Sequence, residues 1–262
     1  MKLAANLSLL YPGLPLPEKA AAAARDGFAA IELLDPYTSD SADLHAVLLQ
    51  HGLTLALINT PMGAPGEKGL GCIPGREDEF RAGVSRALDV CAATGCRSIH
   101  AMAGAPPDGS SRKACRETLL ANLRQAAPMA AEAGVTLTLE ALNRHDAPGY
   151  FYHLPTEAAE IVAAVNHPAL RLQFDFYHAQ REQLNVDRAL QEVLAWVHHV
   201  QIAHPEQRQE PDPSDPPVAA ALRTLRRAGY TGWIGCEYRP KGDTTAGLGW
   251  RDAYQTIITD AV

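Results

Sequence analysis

The sequence predicts a single (β/α)8 TIM barrel, an α/β fold in one domain over residues 1–262. Three observations carry that prediction. Eight strand-like stretches alternate strictly with helical stretches, and such alternation implies parallel βαβ units. No Pro/Ser-rich linker or composition shift divides the 262 residues, and one such barrel typically needs about 250. The first strand is followed by Y-P-G-L-P at 11–15 rather than G-x-G-x-x-G. An open, doubly wound sheet would usually carry that glycine-rich loop.

Taken in order, residues 3–9 alternate as a strand. Leu3, Ala5, Leu7 and Leu9 share one face; Ala4, Asn6 and Ser8 share the other. Residues 15–27 form a helix that opens on prolines and stops at Gly27. The second strand is 29–34, and a Ser/Asp-capped helix over 39–50 closes at His51 and Gly52. The third strand, 53–60, leads into a Gly- and Pro-rich loop over 61–75. Loops of that length inside a compact domain are often functional. A helix over 76–94, a fourth strand over 97–104 and a long helix over 110–133, bent near Pro128, come next. The fifth strand, 135–142, stops on Glu140 and its neighbours, and Pro155 opens a helix to 165. A strand over 170–176, a helix over 186–196 and a short strand over 199–203 follow. After a polar, Pro-rich loop, a helix over 218–228, a strand over 232–238 and a helix over 250–259 close the chain.

Composition narrows the function. A net charge of −7 disfavours nucleic acid as a partner, because such proteins usually carry a basic patch. No apolar run approaches the roughly 20 residues of a membrane span, so no membrane partner is expected. The first ten residues are too short and too polar for a signal peptide. Five scattered cysteines without a C-x-x-C pair fit reduced thiols in the cytoplasm better than a zinc site. Assembly into a homo-oligomer is compatible with the chain.

Barrels of this kind carry their sites at the C-terminal ends of the strands. Strand parity puts Thr136, Thr138 and Glu140 opposite Leu137 and Leu139, and Gln173 and Asp175 opposite Leu172 and Phe174. It puts Gln201 opposite Val200 and Ile202, and Glu237 opposite Ile234 and Cys236. Four successive strands thus each aim one oxygen ligand at the same mouth. Three carboxylates and one amide oxygen suit a hard divalent metal, Mg2+ or Mn2+. Without a cation the carboxylates would raise one another's pKa. The expected chemistry is isomerisation of a small hydroxy-oxo compound through an enediolate. A metal stabilises the oxyanion, and Glu140 and Glu237 pass the proton.

Several motifs together resemble one family, the hydroxypyruvate isomerases among the xylose-isomerase-like barrels. They are N-L-S-L-L-Y at 6–11, G-E-K-G-L-G-C-I-P-G-R-E at 66–77, E-A-L-N at 140–143 and P-G-Y-F at 148–151. Q-F-D-F-Y-H at 173–178, H-V-Q-I-A at 199–203, R-Q-E-P at 208–211, G-C-E-Y-R-P at 235–240 and T-A-G-L-G-W at 245–250 continue the series. The resemblance implies interconversion of hydroxypyruvate and tartronate semialdehyde, with Glu140 and Glu237 as the acid/base pair and the four-ligand metal site. 2-Oxo-tetronate is the nearest rival substrate, and a sugar isomerase or epimerase on the same barrel is the wider alternative. The sequence departs from the family at Lys68, where arginine is usual, at His100, where asparagine is more usual, and in E-Q-R-Q-E-P at 206–211.

Six further residues are expected to bind substrate. Arg208 offers a fork-shaped cation for a carboxylate, and His178 lies three residues past Asp175. Glu67 and Lys68 sit on the long loop, which could close as a lid. His100 and Asn6 stand at strand positions facing the pocket. A zinc nuclease would need more histidines and a basic cleft; a non-catalytic binding protein would shed the paired glutamates.

Overall fold

The computed structural model describes residues 1–259. Eight parallel strands close a barrel in sequence order, with the first strand pairing the last. They are β1 (Lys2–Asn6), β2 (Ala30–Leu33), β3 (Thr54–Asn59), β4 (Ser98–His100), β5 (Thr136–Glu140), β6 (Leu170–Asp175), β7 (Val197–Ile202) and β8 (Trp233–Cys236). The surrounding helices are α1 (Leu16–Arg25), α2 (Ser41–His51), α3 (Glu77–Thr94), α4 (Arg112–Glu132), α5 (Pro155–Val165), α6 (Phe176–Arg181), α7 (Val186–Val193), α8 (Pro216–Arg227) and α9 (Trp250–Thr259).

The outer faces of the strands make the main core. Ile31, Leu55, Ile99, Leu137, Leu139, Leu172, Phe174, Val200, Ile202 and Ile234 are all buried against the helices. Each such side chain contributes about 1.5–3 kcal/mol by leaving water. Inside the barrel the floor is made of small residues, Ala4, Ala30 and Ala56, with Trp233 packed on them. Small residues there leave the space above for polar side chains. All five cysteines are buried and free. Among the described residues, no helix is long and apolar enough to cross a membrane.

The strands are shorter than their alternation predicts, for local reasons. β1 ends at Asn6, because Leu9 and Leu10 turn back to bond the Asn6 carbonyl. β4 ends at His100; beyond it Ala103 bridges Gly69 in antiparallel fashion, and Gly104 has φ +93°. A Cβ at Gly69 would stand 2.4 Å from the Met102 carbonyl oxygen, so only glycine lets the long loop dock there. α4 runs through Pro128 as one helix. The short helix α6 was not expected. It starts because Asp175 Oδ1 accepts from the Tyr177 amide at 2.8 Å and so caps it. The expected helix over 186–196 is α7 followed by a 3-10 turn over Leu194–Trp196.

Register shifts occur in two strand pairs, β2–β3 at Ile31/Glu32 and β6–β7 at Leu172/Gln173. Such irregularities re-aim side chains next to sites. The first brings Leu57 level with Glu32, and the second brings His199 level with Gln173.

Candidate active site

β5 ends on Glu140, β6 on Asp175, β7 carries Gln201, and Glu237 follows β8 directly. All four are buried, with exposures of 4% for Glu140, 4% for Asp175, 0% for Gln201 and 5% for Glu237. Asp175 spends Oδ1 on the α6 cap, which leaves Oδ2 buried without a hydrogen-bond partner. Glu140 Oε1 is likewise buried and unpartnered. His178, on α6, approaches both oxygens, at 3.7 Å from Glu140 Oε1 and 3.6 Å from Asp175 Oδ2.

The electrostatics follow from this burial. Desolvation, then Glu237 and Asp175, push the Glu140 carboxyl well above the usual range. Burial raises Glu237 to about 8 and Asp175 to about 6, in each case against the pull of Arg208. Burial also depresses the two nearby histidines, His100 to about 3 and His178 well below its ordinary value. Both rings are therefore neutral at pH 7. The Asn143 backbone amide donates to His178 Nδ1 at 3.0 Å, so the ring proton sits on Nε2 and points at the carboxylates. His100 Nδ1 stands 3.3 Å from Glu140 Oε2.

Arg208 is the cation of the site. Its Nη2 contacts Glu237 Oε1 and lies 3.6 Å from Asp175 Oδ2; its Nε donates to the Glu237 carbonyl at 3.2 Å. The guanidinium also lies over the Tyr177 ring, 4.7 Å from its centroid. Two successive non-glycine residues, Gln207 and Arg208, hold φ values of +58° and +53° to aim it inward. Backbone in that region is sparsely populated and concentrates at functional sites.

The other expected substrate-binding residues fall in different places. Lys68 lies close enough to His178 for its charge to help lower that ring's pKa. Glu67 is turned to its own loop, accepting from the Ala64 amide at 2.6 Å and from Arg76 Nη1 at 2.8 Å. These bonds brace the loop. Asn6 is fully buried one layer below, with Nδ2 on Glu32 Oε2 at 3.1 Å and Oδ1 accepting from the Ser8 amide. The Asn6 side-chain amide is thus bonded within the barrel interior and to a turn.

The donor set fits a hard divalent cation. Two unpartnered carboxylate oxygens, Glu140 Oε1 and Asp175 Oδ2, lie 3.7 and 3.6 Å from the same His178 nitrogen. Ligand atoms of Glu140, Asp175 and His178 lie within 4.8 Å of one another. His178 presents an N–H on Nε2, so it serves that group as a donor rather than as a ligand. Gln201 Oε1 accepts from Gln173 Nε2 at 2.7 Å and keeps a second lone pair. The Gln201 amide also bonds Glu237 and lowers its pKa.

Several site residues escape a reading of strand ends. Glu32 lies inside the barrel against His199, Asn6 and Gln201. Its signal was a lone acid in the apolar stretch A-I-E-L at 30–33. Asp146 accepts from Tyr177 Oη at 2.6 Å and from Asn143 Nδ2 at 3.1 Å, beneath Arg208. Nothing in its loop sequence marked it.

The model of the family described as "Xylose isomerase-like TIM barrel" matches residues 20–257. A Cupriavidus necator protein named 2-oxo-tetronate isomerase is 43% identical over 97% of this chain and 98% of its own length. The Escherichia coli hydroxypyruvate isomerase is 35% identical over 97% of this chain and 100% of its own. A solved Brucella melitensis structure, named AP endonuclease, family 2, superposes with TM-score 0.92 at 41% identity, covering 97% and 98% of the two chains. The closed barrel, its carboxylate mouth and these full-length likenesses lead to one conclusion: the chain belongs to the xylose isomerase-like TIM barrel family and is an isomerase of it.

Proposed function

We propose that the protein is a hydroxypyruvate isomerase, interconverting hydroxypyruvate and tartronate semialdehyde (2-hydroxy-3-oxopropanoate). One observation carries this reading. Two buried glutamates with raised pKa values, Glu140 and Glu237, share one mouth with an inward-aimed arginine, Arg208. Isomerisation of a hydroxy-oxo acid needs one group to take a proton from a carbon and another to return one to its neighbour. Burial raises both carboxyls and Arg208 opposes it in both, with its Nη2 in direct contact with Glu237. Paired with Arg208, Glu237 removes the proton from C3 of hydroxypyruvate to give the enediolate; Glu140 delivers one to C2, and the O3 hydroxyl proton passes to O2 as the aldehyde forms. The roles reverse in the other direction.

Arg208 pairs its guanidinium with the substrate carboxylate, for which its fork is suited. The Tyr177 ring lies against that guanidinium, and Asp146, bonded to Tyr177 Oη, adds a negative charge nearby. The Nε2–H of His178 donates to a substrate oxygen, and Lys68 adds positive charge over the mouth. Glu140, Asp175, Glu237 and the Gln201 oxygen would hold Mg2+ or Mn2+. That cation supplies Lewis-acid stabilisation of the charge developing on the substrate oxygens.

A second reading takes 2-oxo-tetronate, one carbon longer, as the substrate. It is favoured by the 43% identical relative that bears that name. A nuclease reading, raised by the name of the Brucella protein, calls for a histidine-rich cluster and a basic cleft. The mouth is instead led by carboxylates, on a chain of net charge −7. Initial rates on hydroxypyruvate and 2-oxo-tetronate, with and without chelator, test the proposal. Turnover of hydroxypyruvate that falls on chelation and returns with Mg2+ or Mn2+ is the expected result. No turnover of hydroxypyruvate, with turnover of 2-oxo-tetronate, would replace the first reading by the second.

A further inference from the structure

Beneath the mouth lies a carboxylate that the proposed reaction does not use. Glu32, on β2, is fully buried at 0% exposure. Its Oε1 meets His199 Nε2 at 2.5 Å. Its Oε2 accepts from Asn6 Nδ2 at 3.1 Å and from Gln201 Nε2 at 3.0 Å. The barrel is built around it. β8 carries Gly235 at the facing position, where a Cβ would stand 2.0 Å from Glu32 Oε1. The two register shifts of the sheet fall beside Glu32 and beside His199, its partner.

The bonding has a direction. The Ser8 amide donates to Asn6 Oδ1, which turns Asn6 Nδ2 to Glu32, and an ionised carboxylate offers only acceptors. The end of the Gln201 amide that faces it is therefore the nitrogen, and the oxygen lies on the other side. That oxygen accepts from Gln173 Nε2 at 2.7 Å, and the Gln173 oxygen falls 3.1 Å from Thr138 Oγ1. One carboxylate on β2 thus sets the polarity of a hydrogen-bonded chain that crosses β7, β6 and β5. A half-turn of the Gln201 amide would set its N–H groups against Gln173 Nε2, donor against donor, and turn its oxygen onto the Glu32 carboxylate.

We propose that Glu32, clamped by His199 and Asn6, is a positioning residue that fixes the amide polarity of Gln201. Its N–H is kept on the carboxylates and its oxygen remains the acceptor. The consequence for turnover rests on the functional reading above, in which that oxygen helps to hold a divalent cation. Outer partners of this kind typically matter about 10–100-fold in metal affinity or activity.

The test is Glu32→Gln, close in shape but able to present either an oxygen or an N–H to Gln201. Three readouts are taken. In the metal-free protein, NMR follows exchange with solvent of the Gln201 side-chain amide protons, identified by their loss in Gln201→Leu. Protected in the wild type, they are expected to lose protection in Glu32→Gln. Electron paramagnetic resonance titration with Mn2+ is expected to show binding weaker by about 10–100-fold. Steady-state kinetics on hydroxypyruvate are expected to show the loss in kcat, with KM little changed. Gly235→Ala crowds Glu32 from β8, on the other side of β1, and serves should Glu32→Gln not fold; it is expected to loosen the same amide signal. A folded variant of either kind that keeps the Gln201 protons protected overturns the proposal. If the wild type neither binds Mn2+ nor turns over hydroxypyruvate, the functional reading fails, and the metal-free amide signal still decides the role of Glu32.

Discussion

Glu140, Glu237, Asp175 and Glu32 are acids in one barrel, yet their surroundings divide them into different kinds of group. Arg208 supplies Glu237 and Asp175 with a cation. Asn6, His199 and Gln201 enclose Glu32. Glu140 has two depressed histidines and an unpartnered oxygen. In the metal-free molecule Glu140 is therefore costly to ionise. Because its folded pKa is raised, the stability it contributes is complete below the unfolded value, about 4.3. That stability is lost as pH rises through the raised folded value. Glu140→Gln removes this loss. Metal-free Glu140→Gln is expected to melt above metal-free wild type at pH 8, with the gap closing toward pH 5. Each kcal/mol corresponds to about 2–4 °C in a chain of this size. Calorimetry in chelator across that range checks it, and a gap that does not vary with pH would contradict it.

Among the elements, the strands were legible because their alternation is strong and their outer faces are aliphatic. Parity alone placed Glu140, Asp175, Gln201 and Glu237 around one mouth, as the barrel does. Their ends were less legible. β1 stops at Asn6 because of a turn, and β4 stops at His100 because Gly69 docks on the next segment. α6 was missed because its cap, Asp175, read as the end of a strand and a ligand, and it is also the residue that starts a helix. The bonding partners of Glu67 and Asn6, Arg76 and Glu32, are not visible from strand position alone. Gly235 on β8 makes the same point about packing across the barrel. Gly235→Ala is expected to cost about 1–3 kcal/mol, the range for overpacking a filled interior. Chemical denaturation measures this, and an unchanged midpoint would show that Glu32 has room to move.

At the scale of the molecule, barrel closure brings residues 32 and 237 into one network through Gln201, which bonds both. The sequence shows which strands face inward, because that depends on neighbours two residues apart. It does not show Glu32 meeting His199, a pair 167 positions apart, because such a contact depends on closure and on the register shifts. The family likeness and the carboxylate mouth converge on an isomerase. The central claim is that Glu140 and Glu237 together move the substrate proton. The most direct measurement is the turnover of hydroxypyruvate by Glu140→Gln and by Glu237→Gln, each supplied with excess Mn2+. Both are expected to lose about 10²–10⁴-fold in kcat, the usual contribution of a positioned acid or base. Wild-type kcat in either variant would contradict it.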